Sequence, residues 1–85
     1  MHSSEPATIR LRAEQFRHHA RKRGLKSDSA SATYLGLNRS TVLRILNDDM
    51  APGERMIAQA LAAFPDLTFE DLFEVVVPAA KESAA

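Results

Sequence analysis

The segment "NRSTVLRILN", residues 38–47, places side chains that can form hydrogen bonds on one side of a predicted helix. At about 100° per residue, that side consists of Ser40, Leu43, Arg44 and Asn47, with Arg39 and Thr41 beside it at the helix start. Arginine can donate two hydrogen bonds to O6 and N7 of guanine, hydroxyl and amide groups can bond bases or phosphates, and leucine can contact the methyl group of thymine. The chemistry that this face predicts is recognition of base edges in the major groove of DNA.

The opposite side of the same helix is apolar. It carries Val42, Ile45 and Leu46, and the residues that can pack against it are Leu35 and Leu37. An ordinary amphipathic helix that completes a small core would also be polar outside and apolar inside. The two faces therefore predict a helix but do not by themselves identify a DNA-reading one.

The charges of the chain are unevenly distributed although they sum to zero. Residues 1–47 contain nine lysines and arginines against three acids, a net +6, whereas residues 48–85 contain two against eight, a net −6. Such asymmetry can orient a chain in the field of a polyanion such as DNA. The alternative is that each half is a solvated surface with its own bias.

The sequence carries no pattern typical of an enzyme or a metal site. It lacks cysteine, so neither a disulfide nor a thiolate zinc site is possible. His18 and His19 would point about 100° apart on a helix and could not share one ion. Ser40 has no suitably spaced histidine and aspartate for nucleophilic catalysis, and no glycine-rich phosphate loop is present. We predict a protein that is not an enzyme and that uses no metal, cofactor or small-molecule ligand.

Two features concern the location of the protein. No apolar run approaches the ~20 residues that span a bilayer, and the polar N-terminus "MHSSEPA" lacks the apolar core of a signal peptide. These features predict a cytoplasmic protein without a membrane partner. When bound to DNA, it would be associated with the nucleoid.

A chain of 85 residues is expected to form one domain, and capping signals predict its helices. The first covers residues 13–23 and stops at Gly24. The second begins at the N-cap Ser27 and ends before Gly36, which can adopt the left-handed conformation cheaply. Asn38 is the predicted N-cap of the third helix.

The third helix is predicted over residues 39–48, and two more helices follow it. Pro52 is expected in the first turn of the fourth, which Pro65 ends. Thr68 caps a fifth, short helix over about 69–74.

Both ends of the domain contain short strand-like segments. Residues 8–12 alternate apolar and polar side chains, and residues 74–78, "EVVVP", are β-branched up to Pro78. Paired antiparallel and packed on a helix, they would form a two-stranded ribbon and a candidate homodimer contact. The alternative is a helical N-cap region and a ragged tail. The predicted organisation is a disordered arm over residues 1–7, a domain over 8–78 and a disordered tail over 79–85.

Four positions around the third helix have a distinctive spacing. Ala32, Gly36, Val42 and Ile45 stand at 0, +4, +10 and +13, so that a small residue permits a close helix crossing, glycine makes the turn and two apolar residues hold the pair together. The segment "ATYLGLNRSTVLRILN", with the helices around it over roughly residues 13–74, resembles the lambda-repressor-like, Cro-type helix-turn-helix family. The resemblance implies a mainly α fold, a five-helix helix-turn-helix domain, to which the terminal segments add the short ribbon.

The resemblance also implies how DNA would be contacted. The third helix would read the major groove, with base contacts from Arg39, Ser40, Thr41, Leu43 and Arg44. Phosphate contacts would come from Lys26, Ser27, Asn38, Asn47 and Arg55. The implied function is that of a phage or bacterial transcriptional regulator, a repressor that binds double-stranded DNA as a homodimer and occludes a promoter or operator.

The chain departs from the family pattern at three positions. Ser31 stands where an apolar residue is usual, which should weaken the packing of the second helix. Asp28 stands where glutamine is common, and its carboxylate would repel phosphate unless it pairs with a base such as Lys26 or Arg39. Asp48 stands where glycine is common, and aspartate tolerates a positive φ only at some cost.

These acids support an alternative function. The helix-turn-helix scaffold would then serve as a protein-interaction module, antitoxin-like or an adaptor, that docks a partner through its acidic C-terminal half. Asp28, Asp48 and Asp49 are the residues that favour this alternative.

Overall fold

A computed structural model of the chain describes residues 6–77. Residues 1–5 of the predicted arm, Pro78 and the whole predicted tail over 79–85 lie outside the described residues. The structure is mainly helical, with five helices and a two-stranded antiparallel sheet. In chain order the elements are β1 (Thr8–Leu11), α1 (Ala13–Lys22), α2 (Asp28–Leu35), α3 (Arg39–Leu46), α4 (Glu54–Ala63), α5 (Phe69–Leu72) and β2 (Phe73–Val76).

Glycine ends both of the first two helices as predicted. Gly24 has φ 84° and Gly36 has φ 72°, both in the left-handed region. After each glycine the chain folds back on the helix: the N–H of Leu25 donates to the carbonyl of Ala20 at 3.0 Å, and that of Leu37 donates to Ala32 at 3.1 Å. These bonds satisfy carbonyl groups that a helix end leaves free.

The predicted N-caps of α2 and α3 are confirmed. The Ser27 hydroxyl oxygen accepts a hydrogen bond from the N–H of Ala30 at 3.0 Å, and the Asn38 carboxamide oxygen accepts one from Thr41 at 3.2 Å. Each bond satisfies one of the N–H groups that a helix start leaves free.

The predicted start of α4 was wrong. Pro52 does not lie in its first turn, because Gly53 is extended, with ψ −176°, and acts as the N-cap before Glu54. The Pro52 ring is buried instead, so its contribution is to packing. The end of α4 agrees with the prediction, since Phe64, which precedes Pro65, leaves the helical conformation.

The fifth helix is shorter than predicted. Thr68 and Asp71 form a reciprocal capping box, as expected, but α5 ends at Leu72. Phe73 is extended, with φ −134° and ψ 160°, because it already belongs to β2.

The predicted ribbon is confirmed, with bounds shifted toward the core. In this ribbon, the β1–β2 sheet, Leu11 lies opposite Phe73 and Ile9 opposite Val75. Leu11 and Phe73 are buried, whereas Val75 is 57% exposed. The face of the ribbon that carries Leu11 and Phe73 is therefore covered by the core at one end and exposed to solvent at the other, where Val75 lies.

Arg12 connects β1 to α5 and β2. Its backbone N–H donates to the carbonyl of Leu72 at 2.8 Å, and its Nε donates to the carbonyls of Glu70 at 3.0 Å and Phe73 at 3.2 Å. The start of the domain is thereby fastened to α5 and β2.

The core is a single cluster to which every helix contributes. Its centre contains Phe16 of α1 and Phe64 after α4, whose rings meet edge to face with centroids 5.8 Å apart. α3 contributes Val42, Ile45 and Leu46, the stripe that the sequence predicts. The longest helices have ten residues, so none within residues 6–77 could traverse the apolar interior of a bilayer.

Candidate nucleic-acid interface

α3 divides into the two faces that its sequence predicts. Val42, Ile45 and Leu46 are each at most 4% exposed. The candidate base-reading residues lie on the other side: Arg39, Ser40 and Arg44 are exposed, and Thr41 and Leu43 are half-buried. The outer face is thus open to solvent at Arg39, Ser40 and Arg44 and partly covered at Thr41 and Leu43.

Gln59 of α4 holds the turn between α2 and α3 in place. Its Nε2 donates to the carbonyl of Leu35, the last residue of α2, at 2.8 Å. The same nitrogen would lie 3.7 Å from a Cβ added at Gly36. This contact joins α4 to the end of α2, just before the turn that leads to α3, and sequence reasoning missed it because no local pattern pairs Gln59 with Leu35.

The candidate phosphate contacts lie at helix ends. Lys26 and Ser27 are exposed immediately before α2, Asn38 and Asn47 are exposed at the two ends of α3, and Arg55 is exposed in the first turn of α4. Asn38 uses its carboxamide oxygen for the cap, which leaves its N–H groups able to donate. A phosphate oxygen is an acceptor that suits such groups.

Asp28 does not pair with Lys26 or Arg39, the partners considered from the sequence. It pairs with Arg17 of α1, whose Nε and Nη2 donate to the two carboxylate oxygens at 3.1 and 2.9 Å. Arg17 lies eleven positions earlier across the Gly24 turn, so no local spacing indicated it. The bidentate pair neutralises the carboxylate at the start of α2 and lowers the pKa of Asp28.

Replacing Asp28 with asparagine is expected to lower the free energy of unfolding by about 1 kcal/mol at pH 7, because a partly exposed ion pair contributes little more than that. The folded-state pKa of Asp28 is lowered, so the contribution is present above the unfolded value of about 3.9 and is lost as pH falls through the lowered pKa. Urea unfolding at pH 7 and pH 3 measures both effects.

Asp49→Asn is the control for this measurement, since Asp49 is exposed and forms no ion pair among residues 6–77. It should change stability by less than about 0.5 kcal/mol. A difference between wild type and Asp28→Asn that is as large at pH 3 as at pH 7 would contradict the assigned ion pair.

Several other arginines are also engaged by acids. Arg10 bonds Glu74 across the ribbon at 3.1 Å and lies 3.7 Å from Asp48, Arg12 lies 3.7 Å from Glu74, and Arg23 pairs with Asp66. Six cations of the described residues have no acidic partner within 4.0 Å: Arg21, Lys22, Lys26, Arg39, Arg44 and Arg55. They lie on the end of α1, the approach to α2, α3 and the start of α4.

α3 ends in a turn that depends on Asp48. Its φ is 64°, the one positive φ outside glycine among residues 6–77. The N–H of Asp48 donates to the carbonyl of Ile45 at 3.1 Å, and that of Asp49 donates to Arg44 at 2.8 Å. This bonding pattern is the Schellman motif, whose left-handed position glycine normally occupies. The positive φ that the sequence raised as a possibility at position 48 is therefore present.

Other site types have less support. Among residues 6–77 no group of three histidine, aspartate or glutamate side chains is arranged to hold a metal ion. Ser31, the departure in α2, is 3% exposed and packs beside the Arg17–Asp28 pair.

The chain matches no protein-family model, no curated protein and no solved structure.

Proposed function

We propose that the protein is a sequence-specific DNA-binding transcriptional regulator, a repressor that occludes a promoter or operator. The observation that carries this proposal is the outer face of α3. It presents an exposed row of arginine, hydroxyl and amide groups on a helix that is capped at both ends, and Gln59 binds the end of α2 that precedes it. α3 is then the recognition helix of a helix-turn-helix pair formed with α2, in a domain of the lambda-repressor-like, Cro type.

The distribution of paired and unpaired charges supports this function. The six cations that have no acidic partner among residues 6–77 lie on α1, α3, α4 and the approach to α2, on or beside the elements proposed to face DNA. Four of the nine acids among residues 6–77, Asp28, Asp48, Asp66 and Glu74, lie within 4.0 Å of arginines. Phosphate contacts from unpaired cations supply affinity that depends on salt, and contacts to base edges supply sequence preference.

A homodimer is part of the proposal, because one short helix reads only a few base pairs. The ribbon is the candidate contact between copies. Val75 and Val77 are 57% and 53% exposed, and each strand of a two-stranded sheet keeps one unpaired edge. The alternative module that docks a partner through its acidic half has less support, since Arg17 binds Asp28, Arg10 binds Glu74, and the Asp71 carboxylate caps α5.

Fluorescence anisotropy with labelled double-stranded DNA tests the proposal directly. We expect binding at about 50 mM salt whose logarithmic affinity falls linearly with the logarithm of salt concentration, by about 0.9 per phosphate contact. Absence of binding at that salt, or binding that salt does not alter, would refute the function and favour the protein-interaction module.

Selection of bound sites from random DNA then tests sequence specificity and the dimer together. We expect one preferred half-site that recurs as an inverted repeat, with centres separated by about one helical turn or a multiple of it. Enrichment of unrelated sequences would contradict specific recognition, and an unrepeated site would contradict the two-fold dimer.

A further inference from the structure

Asp48 occupies a position that glycine normally takes at the end of a helix. Its φ of 64° lies in the left-handed region, which glycine adopts without strain and other residues adopt at a cost. Its carboxylate also stands at the carboxyl end of α3, where the helix dipole disfavours negative charge. Asp49 places a second negative charge beside it.

The contacts of Asp48 do not offset these costs. Among the described residues its carboxylate has one oppositely charged neighbour, Nη1 of Arg10, at 3.7 Å. The two side chains are 66% and 48% exposed, and ion pairs between such side chains contribute little to stability. Arg10 is moreover already bonded to Glu74, at the shorter distance of 3.1 Å. The Arg10 contact therefore offsets little of the cost at this position.

The position of Asp48 relative to the outer face of α3 suggests a role in binding. It directly follows Asn47, whose Cα is about 3.8 Å away across a trans peptide, and Asn47 belongs to the outer face. A carboxylate so close to a helix in the major groove lies near the phosphates that border the groove, and like charges repel.

We propose that Asp48 limits the affinity of α3 for DNA of any sequence and that Arg10 moderates this repulsion. The inference rests on the proposed function. A backbone conformation held at a cost is typical of a residue retained for function. Arg10 partly neutralises Asp48, so the negative field at the end of α3 depends on a side chain that belongs to the ribbon.

Asp48→Asn removes the charge and keeps a side chain that tolerates positive φ. We expect it to raise affinity about threefold to tenfold, the effect of one unit charge about 3–6 Å from a phosphate in bulk water. The gain should be equal on preferred and random DNA, and it should shrink as salt rises.

Comparing Asp48→Gly with Asp48→Asn separates the effect of the Asp48 charge from that of the backbone strain at φ 64°. Asp48→Gly should give the same gain in affinity as Asp48→Asn and, in addition, a higher urea midpoint than either wild type or Asp48→Asn, because glycine adopts φ 64° freely. Glu14→Gln, on α1, makes the same change in net charge away from α3 and should alter affinity less than twofold.

The role of Arg10 is tested by a double-mutant cycle. Arg10→Gln removes a cation and also leaves Asp48 without its neighbour, so we expect it to weaken DNA binding more in wild type than in Asp48→Asn. Equal losses in the two backgrounds would overturn the moderating role of Arg10.

The other outcomes distinguish the inference from the proposed function. If wild type binds no DNA, the proposed function and this inference fail together. If wild type binds DNA and Asp48→Asn behaves like Glu14→Gln, the inference alone fails. It fails also if the gain is confined to one preferred sequence, since that would make Asp48 a base contact.

Discussion

Phe64→Ala is expected to lower the free energy of unfolding by about 3–5 kcal/mol, the range for removing a fully buried aromatic side chain. Phe64 is 0% exposed and contacts Phe16 edge to face. The Tyr34 ring lies 6.0 Å away, centroid to centroid, and the Arg23 guanidinium carbon lies 4.7 Å from the centre of the Phe64 ring. The substitution would leave a cavity where α1, α2 and the end of α4 meet.

This loss is a large part of the 5–15 kcal/mol that typically stabilises a small domain. Urea unfolding followed by far-ultraviolet circular dichroism measures it, and a two-state transition should be verified in each variant. Phe69→Ala is the matched control, because Phe69 is only half-buried and stacks on Phe73 with centroids 5.2 Å apart. We expect a clearly smaller loss there. A loss below about 1 kcal/mol for Phe64→Ala would show that this ring is not central to the core.

Arg44→Ala is expected to cost about 1–3 kcal/mol in binding to the preferred site and to relax the preference at one base position. Arg44 lies on the outer face of α3, is exposed, and has no acidic partner within 4.0 Å among residues 6–77. Its guanidinium group is therefore free to donate two hydrogen bonds to one guanine.

The measurement is an anisotropy titration against the preferred site, single-base variants of it and random DNA. Arg21→Ala is the matched control, since Arg21 is exposed on α1 and likewise unpaired among the described residues. It should weaken binding to all sequences alike and reduce the salt slope by about one unit for each phosphate that the variant no longer neutralises. If Arg44→Ala also weakens specific and random DNA equally, Arg44 contacts phosphate and the proposed base reading is wrong.

Local signals predicted the parts of the fold that local chemistry determines. Ser27, Gly36 and Asn38 act on backbone groups within a few residues of themselves, so their caps and turn were readable from the sequence. The two faces of α3 follow from helical periodicity alone. The start of α4 was misplaced because Pro52 is compatible with a helix start and with the segment before it, and the conformation of Gly53 decides between them.

Contacts between distant residues were not predictable in the same way. Arg17 and Asp28, Arg10 and Asp48, and Gln59 and Leu35 meet only after the helices have packed. A single sequence shows that arginines and acids are present, but it does not show which of them will form ion pairs. The candidate DNA-facing residues could be named from the sequence. Only the structure shows which cations of the described residues have no acidic partner.

The fastening of Arg12 to α5 and β2 has a consequence for the order of folding. The ribbon joins residues 64 positions apart, as the Arg10–Glu74 pair shows, so its formation closes a loop that contains most of the chain. Closing such a loop costs entropy that only the packed helices can offset. The ribbon is therefore expected to form last and to open first, as a unit less protected against hydrogen exchange than the helices. Assembly through this ribbon would then be possible only for chains whose helices are already folded.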